Sequence, residues 1–462
     1  MTYNTAKGTR DFLPLQTSRR TFIFETIKKV FNLHGFQNIE TPAIENLATL
    51  NGKYGQEGDK LLFRILNSGN FLENIDLSQQ NSSKELANKI CDKGLRYDLT
   101  VPFARFVVNH FNDINLPFKR YQIQPVWRAD RPQKGRYREF MQCDCDIIGS
   151  NSIVNEAELI EIIEEVFSAL NLQVTIKVNN RKILAALAIL IGKEDCLTDI
   201  TIAIDKIEKI GLEKVLDELR TKDFTPSQID TLKPFLVIEG SNEEKLSQLK
   251  DIFRDIEIGL KGIEEIEQMK DLISQEIEID LTLARGLNYY TGMIFEVKSK
   301  EIAIGSLLGG GRYDNLTGIF GHAGISGVGI SFGADRIYDC LDQLGRFDPK
   351  MEKSSDILFI NFGFPYVKTC LQYAKRLRAE NISCEVFPHE KQISVQTSYA
   401  AKKGISFVAY VGEDEIKSGN LTIKTMASGE QGKYSFEQLK TLLKQTNSQT
   451  NKTYELNNNC KD

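Results

Sequence analysis

The sequence predicts an α+β domain with a helical insertion, followed by a small α/β domain. Three observations carry that expectation. Residues 118–150, "FKRYQIQPVWRADRPQKGRYREFMQCDCDIIGS", read as strand, long basic loop, strand. Segments of helical period, "KILAALAILIG", "DITIAIDKIEKIG" and "EEKLSQLKDIF", dominate residues 180–275. After residue 355, strand-like and helix-like segments alternate, the pattern of parallel pairing.

Taken in order, "TFIFETIKKVFNLHGF" (21–36) is an amphipathic helix ending near Gly35, and the strand-like "NIETPAIE" follows. Residues 67–90 are polar and lack a strand pattern, so they read as a surface insertion. Residues 280–345 return to strand and glycine-rich texture. The first domain is thus expected in two pieces, 1–175 and 276–345, around a helical insertion at 176–275. A linker, 346–354, leads to the second domain, 355–448. There "DILFINFG", a helix over about 366–380, "SCEVFPH", a helix over about 393–403, "ISFVAYVG", "LTIKTM" and a closing helix succeed one another. The polar tail, 449–462, is expected to be disordered.

A hydrophobic fraction of 41% and a charged fraction of 26% place the chain among soluble globular proteins. A formal net charge of −5 argues against a nonspecific nucleic-acid binder but leaves room for local basic patches. There is no apolar run of membrane-spanning length and no secretory leader, so a cytoplasmic location is expected. Eight cysteines scattered along the chain do not form a disulfide framework, which fits a reducing compartment. Cys143 and Cys145 lack a second pair at zinc-ligand spacing and read as buried thiols.

The basic loop carries Arg128, Arg131, Lys134, Arg136 and Arg138 against one acid, Asp130. On the strand after it, alternation puts Phe140, Gln142, Asp144 and Asp146 on one face and Met141, Cys143, Cys145 and Ile147 on the other. A buried row of Gln and Asp is costly unless partnered. A ligand's ammonium or imidazole N–H would serve, and so would arginines of a neighbouring strand. "GLRYDLTVPFARF" (94–106) places Asp98 and Thr100 just before a proline, where an acid is usually a cap. "LARGLNYYTG" (283–292) joins Arg285 to two adjacent tyrosines, Tyr289 and Tyr290. "GSLLGGGRYDNLTGIFG" and "GISGVGISFGADRIYDCL" match neither a Walker loop nor a dinucleotide fingerprint. Arg336, at the start of the helix there, runs against the dipole preference, and an anion before that helix would explain it. Many arginines without a protein nucleophile suggest phosphoryl or nucleotidyl transfer, in which the protein supplies position and charge.

On these motifs the chain resembles the histidyl-tRNA synthetase family of class II aminoacyl-tRNA synthetases. "KGTRDFLP" (7–14) resembles the family's N-terminal signature, and the helix with "GFQNIETPAIE" the class II dimer motif. The strand–loop–strand of 118–150 resembles motif 2, "LARGLNYYTG" and "GGGRYDNL" the two histidine boxes, and "GVGISFGADRI" motif 3. "LRYDLTVPFAR", "REFMQCDCDI" and the helical insertion look most like the eukaryote-type branch. One departure is Asn288, where many relatives have aspartate.

The resemblance implies a six-stranded antiparallel catalytic sheet with flanking helices, an α/β anticodon-binding domain, a homodimer, and Mg²⁺-assisted use of ATP. L-histidine would be activated to histidyl-adenylate and transferred to tRNA(His). Arg128 and Arg285 would be the catalytic pair, holding carboxylate and α-phosphate oxygens. The histidine site would comprise Asp98, Leu99, Thr100, Arg128, Gln142, Asp146, Arg285, Tyr289 and Tyr290. Of these, Asp98, Thr100 and Gln142 would take the α-ammonium, and Asp146 and Tyr290 the imidazole. ATP would meet Arg128, Asp130 (adenine amino group), Phe140 (ring stacking) and Arg336 (γ-phosphate). Arg131, Lys134 and Arg136 would touch the acceptor stem, and "VGEDE" (411–415) is a candidate for anticodon contact. On this reading Asp146→Ala raises the histidine KM or abolishes adenylation. Two alternatives stay open: a catalytically silent histidine or tRNA sensor, and a class II synthetase for another amino acid.

Overall fold

The computed structural model describes residues 4–51, 60–73, 75, 82–133, 135–284, 289–348, 351 and 355–446. Arg285, Asn288, Lys134, most of the 346–354 linker and the 449–462 tail lie outside the described residues. The chain divides into two compact units, Met1–Asp11 with Arg20–Arg346, and Phe12–Arg19 with Phe347–Asp462. Among the described residues no helix is long and apolar enough to cross a membrane.

The first unit contains strands β1 (Gln37–Asn38), β2 (Ile44–Asn46), β3 (Arg64–Ile65), β4 (Lys93–Leu95), β5 (Phe118–Trp127), β6 (Glu139–Ile148), β7 (Val174–Asn180), β8 (Glu278–Ile279), β9 (Met293–Ser299), β10 (Leu308–Tyr313) and β11 (Gly327–Gly333). Eight of them form one sheet in the order β1-β5-β6-β11-β10-β9-β7-β8. The six central strands are antiparallel, and the two-residue end strands, β1 and β8, pair parallel to their neighbours. The sheet is therefore wider than the six strands expected. The strand-like "NIETPAIE" is split because Pro42 cannot donate to a ladder. Instead, the buried Arg96 donates to the carbonyl of Thr41 at 2.6 Å and to Gln124 Oε1 at 2.9 Å, pinning the break to the sheet.

Helix α1 (Pro14–Leu33) starts on a proline, whose missing N–H costs nothing in the first turn. It ends before Gly35, which holds φ 77°. Its Phe31 packs on Tyr121 (5.6 Å between ring centroids) and Phe332 (5.9 Å), and Phe167 also reaches Phe332 (5.7 Å). Helix α2 is Thr100–Asn109 and α3 is Val154–Ala169. One sheet face, carrying Tyr121, Cys143, Cys145, Ile330 and Phe332, is thus sealed in apolar core. Both thiols are fully buried, and desolvation pushes them well above the ordinary range.

Helix α4 (Arg181–Leu190) begins only after β7, so residues 176–180 of the segment read as helical are strand. Helical period dominated the local pattern, and pairing of β7 with β9 is invisible to it. Helix α5 (Glu257–Leu272) packs back on α4, where Gly259 and Gly262 give room for close approach. Within 67–90, residues Ser83–Ile90 form a helix with a Ser82–Glu85 capping box and no buried side chain, as befits a surface segment. Helix α6 (Ala334–Gln343) closes this unit.

The second unit is built on β12 (Ile357–Phe359), β13 (Cys384–Val386), β14 (Phe407–Tyr410), β15 (Leu421–Thr425) and β16 (Gln431–Tyr434), ordered β13-β12-β14-β15-β16. The first three are parallel, and helices α7 (Phe364–Ala379) and α8 (Ile393–Lys402) connect them. β15 and β16 add antiparallel. β16 lacks apolar alternation and escapes a pattern-based reading.

Candidate active site

The face of the large sheet opposite α1 carries polar side chains in register. Arg120 lies opposite Asp146 and Gln122 opposite Asp144, while on the far side of β6 Ser331 lies opposite Asp144 and Gly329 opposite Asp146. Gly309 and Gly311 of β10 continue this face. A Cβ on Gly309 would meet nothing nearer than 4.0 Å. The absence of side chains there opens a cavity of about 330 Å³ above the strands. The glycine-rich motifs are thus the floor of a pocket rather than a phosphate loop.

Asp98, Thr100, Gln142, Tyr289, Tyr290 and Ser331 line the cavity. Asp98 is 2% exposed and its Oδ1 accepts from the Val101 N–H at 3.2 Å, so it caps α2 while facing the pocket. Tyr289 and Tyr290 meet edge to face at 4.9 Å. Burial first, then the nearby Asp146 carboxylate, raises the Tyr290 phenol above its usual range. Gln142 Nε2 donates to Ser331 Oγ at 2.8 Å.

Arg128, Asp130, Arg136, Phe140, Glu296 and Arg336 line it as well. Arg128 follows the last residue of β5. Its guanidinium sits 4.2 Å from the Tyr97 ring centroid and 5.2 Å from that of Phe140, and its Nε donates to the Tyr97 carbonyl at 3.1 Å. Asp130 is paired with Arg136 at 3.4 Å. Arg336 donates to the carbonyls of Gly135 and Ser306, both at 2.8 Å. Those carbonyls offset the unfavourable dipole position that first suggested an anion there. Asp335 beside it supplies the acid the helix start prefers. It accepts from Arg10 and Arg20 and, at 2.8 Å, from the Met141 N–H.

The N-terminal signature braces the basic loop. The Gly8 carbonyl accepts from the Arg138 N–H at 2.9 Å, and Arg10 lies 3.4 Å over the Tyr137 ring. Arg131 is exposed and does not line the cavity, whereas Arg136 stands at its rim.

Two residues expected to touch histidine do not line the cavity. Leu99 is fully buried and does not line the cavity; it sits in the turn that starts α2, facing the core. Asp146 is not exposed to the cavity either. It is 3% exposed, paired with Arg120 Nη2 at 2.6 Å, and accepts from the Tyr313 hydroxyl at 2.6 Å. The neighbouring-strand arginine left open as an alternative partner is the one present. Sequence periodicity gave the correct face for Asp146 but could not show Arg120, 26 residues upstream, or Tyr313. The second histidine box splits likewise. Tyr313 turns to Asp146, and Arg312 turns to the helix-covered side, where it pairs with Glu156 of α3 at 2.5 Å.

Glycine is required where these buried groups lie against backbone. A Cβ on Gly329 would stand 2.0 Å from Asp146 Oδ1, and one on Gly327 2.4 Å from the Tyr313 ring. Gly329→Ala is expected to displace the carboxylate, lower the thermal midpoint and weaken amino-acid binding together. An unchanged melting curve would contradict this packing.

Comparison with known proteins agrees with this geometry. The family model for histidyl-tRNA synthetase matches residues 71–337, and an anticodon binding domain model matches 356–446. The histidine–tRNA ligase of Phocaeicola vulgatus is 54% identical over 446 residues, covering 95% of this chain and 98% of that one. That of Christiangramia forsetii is 50% identical over 448 residues, covering 95% and 98%. The crystal structure of histidyl-tRNA synthetase from Nostoc sp. PCC 7120 superposes with a TM-score of 0.79 at 30% identity, covering 96% of this chain and 100% of that one. These relatives are bacterial, and nothing among them supports the eukaryote-type branch suggested by "LRYDLTVPFAR". With both halves of the chain matched and the pocket built from the motifs in their expected order, the chain belongs to the histidyl-tRNA synthetase family.

Proposed function

We propose that this chain activates L-histidine with ATP, releasing pyrophosphate, and transfers the histidyl group to tRNA(His). The observation that carries the reading is the lining of one cavity, which brings acceptors (Asp98, Gln142) and two tyrosines together with arginines (Arg128, Arg336). An amino acid lying along it presents its ammonium to the acceptors and its carboxylate to Arg128, where the α-phosphorus of ATP is brought. The carboxylate oxygen attacks that phosphorus and pyrophosphate leaves. Arg128, with Arg285, offsets charge on the transferring group. Phe140 and Asp130 flank the adenine, and Arg336 takes the terminal phosphate.

Mg²⁺ bound with ATP adds positive charge on the phosphates. Glu296 lines the cavity, linked to Arg336 through Ser306 and 3.5 Å from Lys298 Nζ, and its carboxylate with phosphate oxygens and water would be a donor set that suits Mg²⁺. Residues 1–180 with 276–345 form the catalytic core in this reading, 181–275 the insertion, and 355–448 the anticodon-binding domain. Arg131, Lys134 and Arg136 meet the acceptor stem, and the enzyme works as a cytoplasmic homodimer.

ATP–pyrophosphate exchange with each amino acid, followed by charging of total tRNA, tests the proposal. Exchange with histidine alone and charging of one tRNA species is expected. Exchange with another amino acid, or with none, overturns it; the last result favours a sensor.

A further inference from the structure

Asp144 is a carboxylate of the site face that no step above uses and that, unlike Asp146, has no ion pair at 2.6 Å among the described residues. It is 2% exposed, in the middle of β6. Gln122 of β5 lies opposite it on one side and Ser331 of β11 on the other. The Gln122 amide N–H groups go elsewhere, to Thr41 Oγ1 at 2.8 Å and to Gln124 Oε1 at 2.5 Å. The Ser331 hydroxyl faces the Asp144 carboxyl across the β6–β11 register and favours its ionised form, and Asp144 Oδ1 has no hydrogen-bond partner among the described residues. Ser331 Oγ in turn accepts from Gln142 Nε2. Gln142 Oε1 is also without a hydrogen-bond partner among the described residues, and its side chain lines the cavity.

A hydroxyl has one hydrogen, and an ionised carboxylate only accepts. With Asp144 ionised, Ser331 must donate to it, which leaves the Ser331 lone pairs for the Gln142 amide nitrogen. That fixes which way round the amide lies. Turned over, Gln142 would present N–H groups to the cavity and compete with Asp144 for the single hydroxyl hydrogen.

We propose that Asp144 is a positioning residue. Acting through Ser331, it holds the Gln142 amide with its oxygen toward the cavity, as an acceptor for the α-ammonium of the amino-acid substrate. The inference rests on the reading of this pocket as a histidine site and adds a residue that the motifs do not assign.

Asp144 is surrounded by Arg120 on β5, Asp146 on its own strand, Arg96 and Asp98 on the segment after β4, and Tyr290 beyond them. Burial, outweighing Arg120, pushes its carboxyl up to about 7. Below that pH it takes up a proton and can donate to Ser331, which reverses the chain of donors and turns the Gln142 amide. The histidine KM should therefore rise as pH falls from 8 to 6. Histidine's own imidazole titrates in this range, so the comparison is with Asp144→Asn, which lacks the carboxyl.

The test measures histidine-dependent pyrophosphate exchange by the full-length protein. Asp144→Asn replaces one carboxylate oxygen by an NH₂ donor, so Ser331 is no longer obliged to donate at any pH. At pH 8 its histidine KM should rise about tenfold, the scale of one hydrogen bond to a charged group, while kcat changes less than about threefold. Ser331→Ala, which buries no new polar group, should raise KM in the same direction. In a Gln142→Glu background both terminal atoms are oxygens, so adding Asp144→Asn should change KM less than about twofold. A purely structural role would give equal losses in both backgrounds. A wild-type KM in Asp144→Asn and Ser331→Ala, or an undiminished effect beside Gln142→Glu, overturns this inference alone. Failure of the wild-type protein to exchange with histidine overturns the functional reading as well.

Discussion

Arg128→Ala is expected to lower kcat for histidine-dependent pyrophosphate exchange by about 10²- to 10³-fold, the cost of removing one preorganised donor from a transition state. The arginine is well placed for that task. It leaves the end of β5, and its backbone N–H is fixed to the Arg138 carbonyl at 2.9 Å, so the loop base cannot drift. Its side chain is sandwiched by Tyr97 and Phe140 and tied by Nε to a carbonyl. The guanidinium edge away from Nε is then directed without further ordering cost. Arg128→Lys should lose nearly as much, because an ammonium neither forks onto two oxygens nor stacks between rings. The melting curve should hardly move, since the residue is only half-buried. Exchange above a tenth of the wild-type rate in the alanine variant would remove Arg128 from the reaction.

Asp146→Ala is expected to act first on stability, costing about 3–5 kcal/mol, because it leaves a buried guanidinium uncompensated. Arg120 is fully buried, with its charged end 4.2 Å over the Phe103 ring, and Asp146 is its ion-pair partner at 2.6 Å. The Tyr313 hydroxyl loses its acceptor in the same substitution. Replacing both charges, as Arg120→Met with Asp146→Ala, should recover part of the loss, since no buried charge then remains. Thermal denaturation followed by circular dichroism reads this directly. A single variant that melts like the wild type while losing only histidine affinity would return Asp146 to the substrate-contacting role implied by the family resemblance.

The two substitutions mark how far the sequence could be read. Arg128 was legible because it is local: a strand end, a basic loop, and an aromatic twelve residues away on the return strand. The face of β6 was legible for the same reason, since side-chain alternation has a period of two whatever the partners are. Asp144 and Asp146 lie on the same face and look equivalent in the sequence. One is matched to Arg120 and Tyr313, the other to Ser331, and these partners arrive from β5, β10 and β11 through pairing that no local pattern encodes. Arg285, Asn288 and Lys134 lie outside the described residues, so the resemblance alone speaks for them.

The sequence by itself determined the family, the order of the motifs, the polar face of the central strand and the two-part organisation of the chain. Each is written in short-range periodicity, turn chemistry and motif spacing. The tertiary structure decided what the glycines are for, which carboxylates reach the cavity and which are spent on buried partners. It also decided that residues 176–180 belong to a sheet rather than a helical insertion. Those outcomes depend on cross-strand register, which is set by the packing of elements tens to hundreds of residues apart, and a one-residue slip would have reversed every one of them.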